Sequence, residues 1–258
     1  MKYGICTLAL VPLRSKQAHR SEMVSQVLFG ELFEILDVEL DWTAIRLLET
    51  GYLGWIQNGQ FKELEAEEME GYLKGKLSLV GREGGLLFNA TDQFSLCHGT
   101  KLYLDEFNRF HLAQLDMTYQ GSINSFSGSD FETKVAELAR SYKDTAYLWG
   151  GRSQWGIDCS GFSQLIYSCF GIALPRDAYQ QAEIGTTVDF ISEIRTGDLA
   201  YFDNAEGRIT HVGIMLDRDT IIHASAKVRI DRMDNEGIFN QELNRYSHKL
   251  RIIKRYNA

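Results

Sequence analysis

Over residues 3–123 the apolar side chains fall in short runs rich in β-branched and aromatic residues, broken every few positions by glycine or acidic residues. Such runs predict strands joined by tight turns. The opening run, residues 3–13, predicts a first strand. A weak internal repeat emerges when the chain is laid against itself with a shift of about 68 residues. Residues 30–37 (GELFEILD) align with 99–105 (GTKLYLD), residues 42–47 with 110–115, and Gly54-Trp55-Ile56 with Gly121-Ser122-Ile123. Two copies predict two small β-barrels, at residues 1–63 and 64–127, with one larger β-sandwich as the alternative. The acidic stretch 63–70 between them reads as a solvated linker or a short helix.

The pattern changes after residues 121–130, a run of small polar residues that cannot bury enough surface to order themselves. A third domain is therefore expected over 128–258. Beyond Phe131 the period is helical, with Val135, Leu138 and Ala139 on one face and Asp130 available as N-cap. Gly150-Gly151 breaks it. Residues 160–170 are helical again, with Phe162, Leu165, Ile166 and Cys169 on one side. Strand-like runs follow at 198–202, 211–216 and 220–224, the last two joined by a turn at Asp217-Arg218-Asp219. The domain is predicted to be α+β.

Composition adds mainly exclusions. With 44% apolar and 24% charged residues over 258 positions, the chain is neither disordered nor collagen-like. A net charge of −8 and the lack of any basic run remove nucleic acid as an expected partner. No stretch approaches the ~20 apolar residues of a membrane helix, so no membrane span is expected. Met1-Lys2 before a short apolar run faintly resembles an export signal, but no small-residue cleavage site follows before Arg14-Ser15-Lys16. A cytoplasmic protein is expected, periplasmic or secreted if a longer natural precursor exists. Cys6, Cys97, Cys159 and Cys169 lack metal-type spacing and are expected to be reduced. A monomer without cofactor or bound metal is the resulting expectation.

Candidate chemistry concentrates around Tyr147-Leu148-Trp149-Gly150-Gly151 and Gly156-Ile157-Asp158-Cys159-Ser160-Gly161-Phe162. Cys159 lies between a glycine-rich loop and an amphipathic helix, where first-turn N–H groups and the helix dipole would stabilise a thiolate. A buried, inert cysteine is the plain alternative. His211 and His223 share parity on neighbouring predicted strands, which brings their side chains to one face. His211 then suits a general base, and His223 the group that holds its tautomer. Zinc on such a Cys-His-His set would lack a fourth protein ligand. Ser160 fails the Gly-x-Ser-x-Gly elbow because position 158 is Asp. His19, His98, His111 and His248 have no comparable setting and read as surface or structural groups.

Tyr147-Leu148-Trp149-Gly150-Gly151, Asp158-Cys159-Ser160-Gly161-Phe162, Leu174-Pro175-Arg176-Asp177, Gly197-Asp198-Leu199, His211-Val212-Gly213-Ile214 and Ile222-His223-Ala224 resemble, in order and spacing, the signature blocks of NlpC-type cysteine peptidases over residues 130–258. The resemblance implies a papain-like α+β fold, cleavage of bacterial cell-wall peptides, and a triad of Cys159, His211 and His223. Tyr147 is the candidate to assist the helix-start N–H groups at the oxyanion. With tandem SH3-like barrels ahead of it, carried by residues 14–55, the chain resembles γ-D-glutamyl-L-diamino acid endopeptidases, whose substrate is a murein stem peptide with a free N-terminal L-Ala. That resemblance implies amine binding by Asp158 and a barrel pair, for which Glu22 and Tyr52 are the candidates, with Ser160 beside them. Arg176 and Asp177 are candidate substrate contacts, or equally a loop brace and a helix cap. The family often has Ser where this chain has Ala178. A non-catalytic wall-fragment binder and a cysteine amidase acting on another amide are the competing readings.

Overall fold

In the computed structural model, which describes residues 2–112 and 114–256, the chain divides into two units, Met1–Ser125 and Phe126–Ala258. The first begins with β1 (Lys2–Cys6), β2 (Leu10–Arg14), β3 (Met23–Leu28), β4 (Leu32–Glu39), β5 (Trp42–Leu47), β6 (Leu53–Gln57) and β7 (Phe61–Leu64). These make one antiparallel sheet in the order β3-β2-β6-β5-β4-β1-β7. The opening run is thus two strands and not one. β1 pairs with β4 and β7 while β2 pairs with β3 and β6, so the chain must turn between Cys6 and Leu10 to change partners.

The acidic stretch forms α1 (Ala66–Tyr72), where Glu65 and Glu68 make a capping box and first-turn acids complement the helix dipole. Then come β8 (Lys76–Phe88), β9 (Gln93–Leu96), β10 (Lys101–Leu104), β11 (Arg109–Leu112) and β12 (Leu115–Ile123), ordered β10-β8-β12-β11 with β9 on β8. The repeat is legible in individual hydrogen bonds. Gly30 N–H donates to the Cys6 carbonyl at 2.9 Å and Cys6 N–H to that of Glu31 at 3.1 Å; Gly99 donates to Val80 at 3.1 Å and Val80 to Thr100 at 2.8 Å. Both glycines are left-handed, φ +79° and +84°, which a side chain would resist. Ala113, within the second copy, lies outside the described residues. The two sheets share a core, since Ile5, Phe29 and Leu64 pack with Val80, Leu87, Leu102 and Phe110.

The second unit opens with a 3-10 turn, Gly128–Asp130, and α2 (Phe131–Arg140), which buries Phe131, Val135, Leu138 and Ala139. Asp130 does not cap α2 through its side chain. Its carboxylate instead accepts from Ser127 N–H at 2.8 Å and Ser127 Oγ at 2.7 Å, closing the turn before the helix. Next are β13 (Arg152–Ser153), β14 (Gly156–Ile157), α3 (Cys159–Ser168), α4 (Ala178–Glu183), β15 (Thr186–Thr187), β16 (Leu199–Asp203), β17 (Ile209–Met215), β18 (Thr220–Ser225), β19 (Lys227–Met233), β20 (Gly237–Asn240) and β21 (Arg245–Arg255).

Strands β16 to β20 follow in order, and β21 pairs with both β16 and β20, so six strands close a ring with β15 attached to β21. Ala200, Phe202, Met215, Ile221, Met233, Ile238 and Ile253 form one buried cluster on its inner face. Side chains alternate along a strand, so His211 shares a face with Met215, His223 with Ile221, and Asp231 with Met233. The polar site is therefore built on the same face as this apolar plug. Helix α3 lies against β17 and β18 and is buried along nearly its whole length.

Candidate active site

Cys159 is the first residue of α3, and Asp158 is its N-cap, accepting from Gly161 N–H at 2.7 Å. The loop ahead of it fits only because two glycines let backbones touch. A Cβ on Gly161 would lie 2.3 Å from the Gly151 carbonyl oxygen, and one on Gly151 would lie 2.4 Å from that of Gly156. Asp158 is also clamped by Arg176, whose Nη2 reaches Oδ2 at 2.5 Å and whose Nη1 reaches Oδ1 at 3.1 Å. Gly150 N–H donates to Oδ2 at 2.9 Å and Ser160 Oγ to Oδ1 at 3.4 Å. A carboxylate has about four lone-pair sites, so Asp158 is saturated by its own chain.

Arg176 also donates to Ser160 Oγ at 2.9 Å, which fixes Arg176, Asp158 and Ser160 as one buried brace. Gln181, which the sequence patterns do not single out, ties α4 to this brace by donating to the Ser160 and Pro175 carbonyls at 3.1 and 2.8 Å. Asp177 caps α4 in a reciprocal box with Gln180. Tyr147 is held by its N–H on the Ala226 carbonyl at 3.0 Å and by a bridge to Ile157. Burial and the neighbouring Cys159 and Asp158 raise its hydroxyl pKa, so it remains an O–H donor beside the sulfur. Within the first unit, Glu22 and Tyr52 lead into β3 and β6, the strands that flank β2. Glu22 is exposed, whereas Tyr52 packs half-buried against the cluster around Val11 and Phe33.

The sulfur of Cys159 receives the Val212 N–H, so it sits against β17 directly beside His211. Gly213 stands opposite His223 in the β17–β18 pairing, and the diagonal brings His211 Nε2 within 2.8 Å of His223 Nδ1. A Cβ on Gly213 would lie 2.8 Å from that of His223, so glycine here is a condition of the pair. On the far side, His223 Nε2 lies 3.0 Å from Asp231 Oδ2, and Arg229 donates to both Asp231 oxygens at 2.6 and 2.9 Å. His211 and His223 are 6% and 1% exposed, which removes water as a substitute partner.

Sequence alone predicts an ionised thiol. The structure corrects this: burial pushes the Cys159 thiol up to about 12 and the Asp158 charge adds to it, while the N–H groups of Val212 and Ser160 and the Arg176 charge offset only part. Burial, then the neighbouring His223 and His248, hold His211 well below its ordinary value. Burial thus favours the neutral form of each group.

His248 is a second correction. It is no isolated surface group: its ring stacks on His211 with centroids 4.1 Å apart and 22° between planes, and burial lowers it to about 4. Neither His248 on β21 nor Asp231 on β19 was legible from local spacing, because the partners come from strands paired at long range. Of the other histidines, His98 is buried, His19 packs edge-on against Trp42, and His111 lies between Asp105 and Asp116. His211, His223 and His248 offer nitrogens within 4.8 Å of one another, a spacing a metal could span. However, both His223 nitrogens are engaged, and nearly parallel stacked rings aim their in-plane lone pairs past a common point.

Residues 144–247 match the model of the NlpC/P60 family, and residues 13–61 that of the bacterial dipeptidyl-peptidase Sh3 domain. The chain is 25% identical over 233 residues to a gamma-D-glutamyl-L-lysine dipeptidyl-peptidase of Bacillus cereus, spanning 79% of this chain and 68% of that protein. It is 36% identical over 119 residues to the probable endopeptidase NlpC of Escherichia coli, spanning 44% of this chain and 77% of that protein. The crystal structure of an NlpC/P60 family protein from Bacillus cereus shares the fold at a TM-score of 0.80 and 19% identity, covering 99% of this chain and 100% of that one. A helix-start cysteine packed on a strand that presents paired histidines, in a chain with these likenesses, belongs to the NlpC/P60 family of cysteine peptidases, here with SH3-like β structure ahead of a papain-like α+β unit.

Proposed function

We propose that the protein is an endopeptidase that hydrolyses the bond between γ-D-Glu and a diamino acid in murein stem peptides bearing a free N-terminal L-Ala. The observation that carries the reading is the Cys159 sulfur at the start of α3, against the strand that presents the hydrogen-bonded His211–His223 pair. The activity named for the Bacillus cereus relative supports this class of bond. The setting is cytoplasmic, with a monomer acting on released wall fragments.

His211 takes the Cys159 proton as the sulfur attacks the γ-carbonyl carbon. The Cys159 N–H at the start of α3 and the Tyr147 hydroxyl stabilise the oxyanion. His211 then returns the proton to the departing amine, leaving a thioester. Water loses a proton to His211 and hydrolyses that thioester, which restores the thiol. Glu22 and Tyr52 are the first unit's candidates for the alanine amine. Asp158, the second unit's candidate, can accept an amine only by exchanging a protein donor, of which Ser160 Oγ at 3.4 Å is the weakest held.

Mass spectrometry of a digest of the free stem tetrapeptide tests the reading. Release of L-Ala-γ-D-Glu is expected, together with none from Cys159→Ala. Cleavage at another bond, or turnover by Cys159→Ala, overturns it. Acetylating the alanine amine should abolish cleavage; an acetylated peptide cut equally fast removes the amine-binding roles.

A further inference from the structure

Asp231 belongs to no signature block, yet its register makes it the far end of the histidine chain. In the β18–β19 pairing His223 faces Arg229 and Ile221 faces Asp231, so Asp231 lies on the diagonal from His223 and on the same face. Arg229 clamps it with Nε at 2.6 Å on Oδ2 and Nη2 at 2.9 Å on Oδ1. Asp231 is 7% exposed, so no bulk water competes for these contacts.

We propose that Asp231, held by Arg229, is the positioning residue that fixes the tautomers of both His223 and His211, leaving Nδ1 of His211 as the nitrogen that exchanges a proton with Cys159. This rests on the reading of Cys159 and His211 given above. An ionised carboxylate only accepts, so the 3.0 Å contact requires the proton of His223 on Nε2. Neutral His223 then presents a bare Nδ1, and the 2.8 Å contact from it requires the proton of His211 on Nε2. Nδ1 of His211 is what remains. Either ring in the other tautomer would set two N–H groups or two lone pairs against each other inside the fold, leaving a buried polar group unsatisfied. Burial alone would raise the Asp231 pKa, but the hydrogen bonds from His223 and Arg229 outweigh it and hold the carboxyl below its ordinary value, hence ionised. No proton travels along the chain: it passes from sulfur to His211 Nδ1 and on to the leaving amine, while Asp231 stabilises the transient imidazolium through His223.

The test uses the full chain labelled with 15N, with long-range 1H–15N imidazole spectra at neutral pH. His211 and His223 are both expected as Nε2–H tautomers, and a wild-type His211 carrying its proton on Nδ1 overturns the proposal without any variant. In Asp231→Asn the His223 pattern should shift toward Nδ1–H. Alkylation of Cys159 by iodoacetamide should slow at least about tenfold, and kcat on the stem peptide should fall on the order of 10²- to 10⁴-fold, with KM within about twofold, as for other residues that orient a catalytic imidazole. Unchanged tautomers and an unchanged alkylation rate in Asp231→Asn overturn it. If the stem peptide is not cut by the wild type, the bond specificity fails, while the spectra and alkylation still decide the role of Asp231.

Discussion

With the thiol pushed up to about 12 and the imidazole pushed below 6.5, burial favours the proton on sulfur before substrate arrives. The pH profile of kcat/KM follows from the signs. His211 works as a base only while neutral, so the acid limb should lie below pH 6.5; the thiol keeps its proton through pH 9, so no alkaline limb should intrude before that. An acid limb at or above 6.5 would show that burial does not govern the pair. His248 belongs to the same scale. Its ring covers His211 and depresses the imidazolium, so His248→Ala should move the acid limb upward, while His248→Phe, which keeps the stack, should lose less kcat. Sequence reached Cys159, His211 and His223 because a helix start and a shared strand parity are local facts. It reached neither the protonation states, which depend on burial, nor His248, which arrives from a strand 37 positions further along.

At the scale of elements, the start of α3 and the β17–β18 pair are two devices that must meet, and each relies on a close approach to glycine that a methyl group would block. Gly213→Ala should push His223 off its diagonal; the expected result is at least about a tenfold loss of kcat with a stability cost of about 1–3 kcal/mol, read from kinetics beside urea unfolding. Wild-type kcat in that variant would mean that the strand pair is looser than its register implies. The α3 clamp is predicted to behave differently. Arg176→Ala strands a buried Asp158 carboxylate and should cost about 3–5 kcal/mol of stability, a value urea midpoints can check. The hydrophobic pattern showed the strands β16, β17 and β18 and the helix α3, because period and length separate them. It did not show β19 and β21, where charged residues interrupt the apolar alternation, nor the four-residue β20 between them, and ring closure through β21 supplies the order.

On the scale of the whole molecule, the repeat between residues 30 and 99 was visible in sequence because the same turn needs the same left-handed glycine twice. The ring of the second unit left no such mark, since its closure joins strands that are distant along the chain. Burying three histidines there carries a cost that acid should reveal. His211, His223 and His248 are all lowered when folded, chiefly by burial, whereas in the unfolded chain each takes up a proton near pH 6.5. The unfolded state therefore binds more protons below pH 6.5, and stability, intact above that pH, is lost as pH falls toward the folded values. Between pH 7 and 5 the His248 ring, lowered to about 4 in the folded chain, should contribute a loss of about 2 kcal/mol, which is large against a typical stability of roughly 5–15 kcal/mol. Urea unfolding at the two pH values separates this from general acid sensitivity if His248→Phe is measured alongside. That variant keeps an aromatic ring in the stack but removes one titrating group, and freeing His211 from a neighbour that depresses it works in the same direction. Its loss between pH 7 and 5 should be smaller than the wild type's by at least about 2 kcal/mol. Equal losses in the two proteins would mean that His248 titrates alike in the folded and unfolded chain, and that burial of this ring does not set its charge.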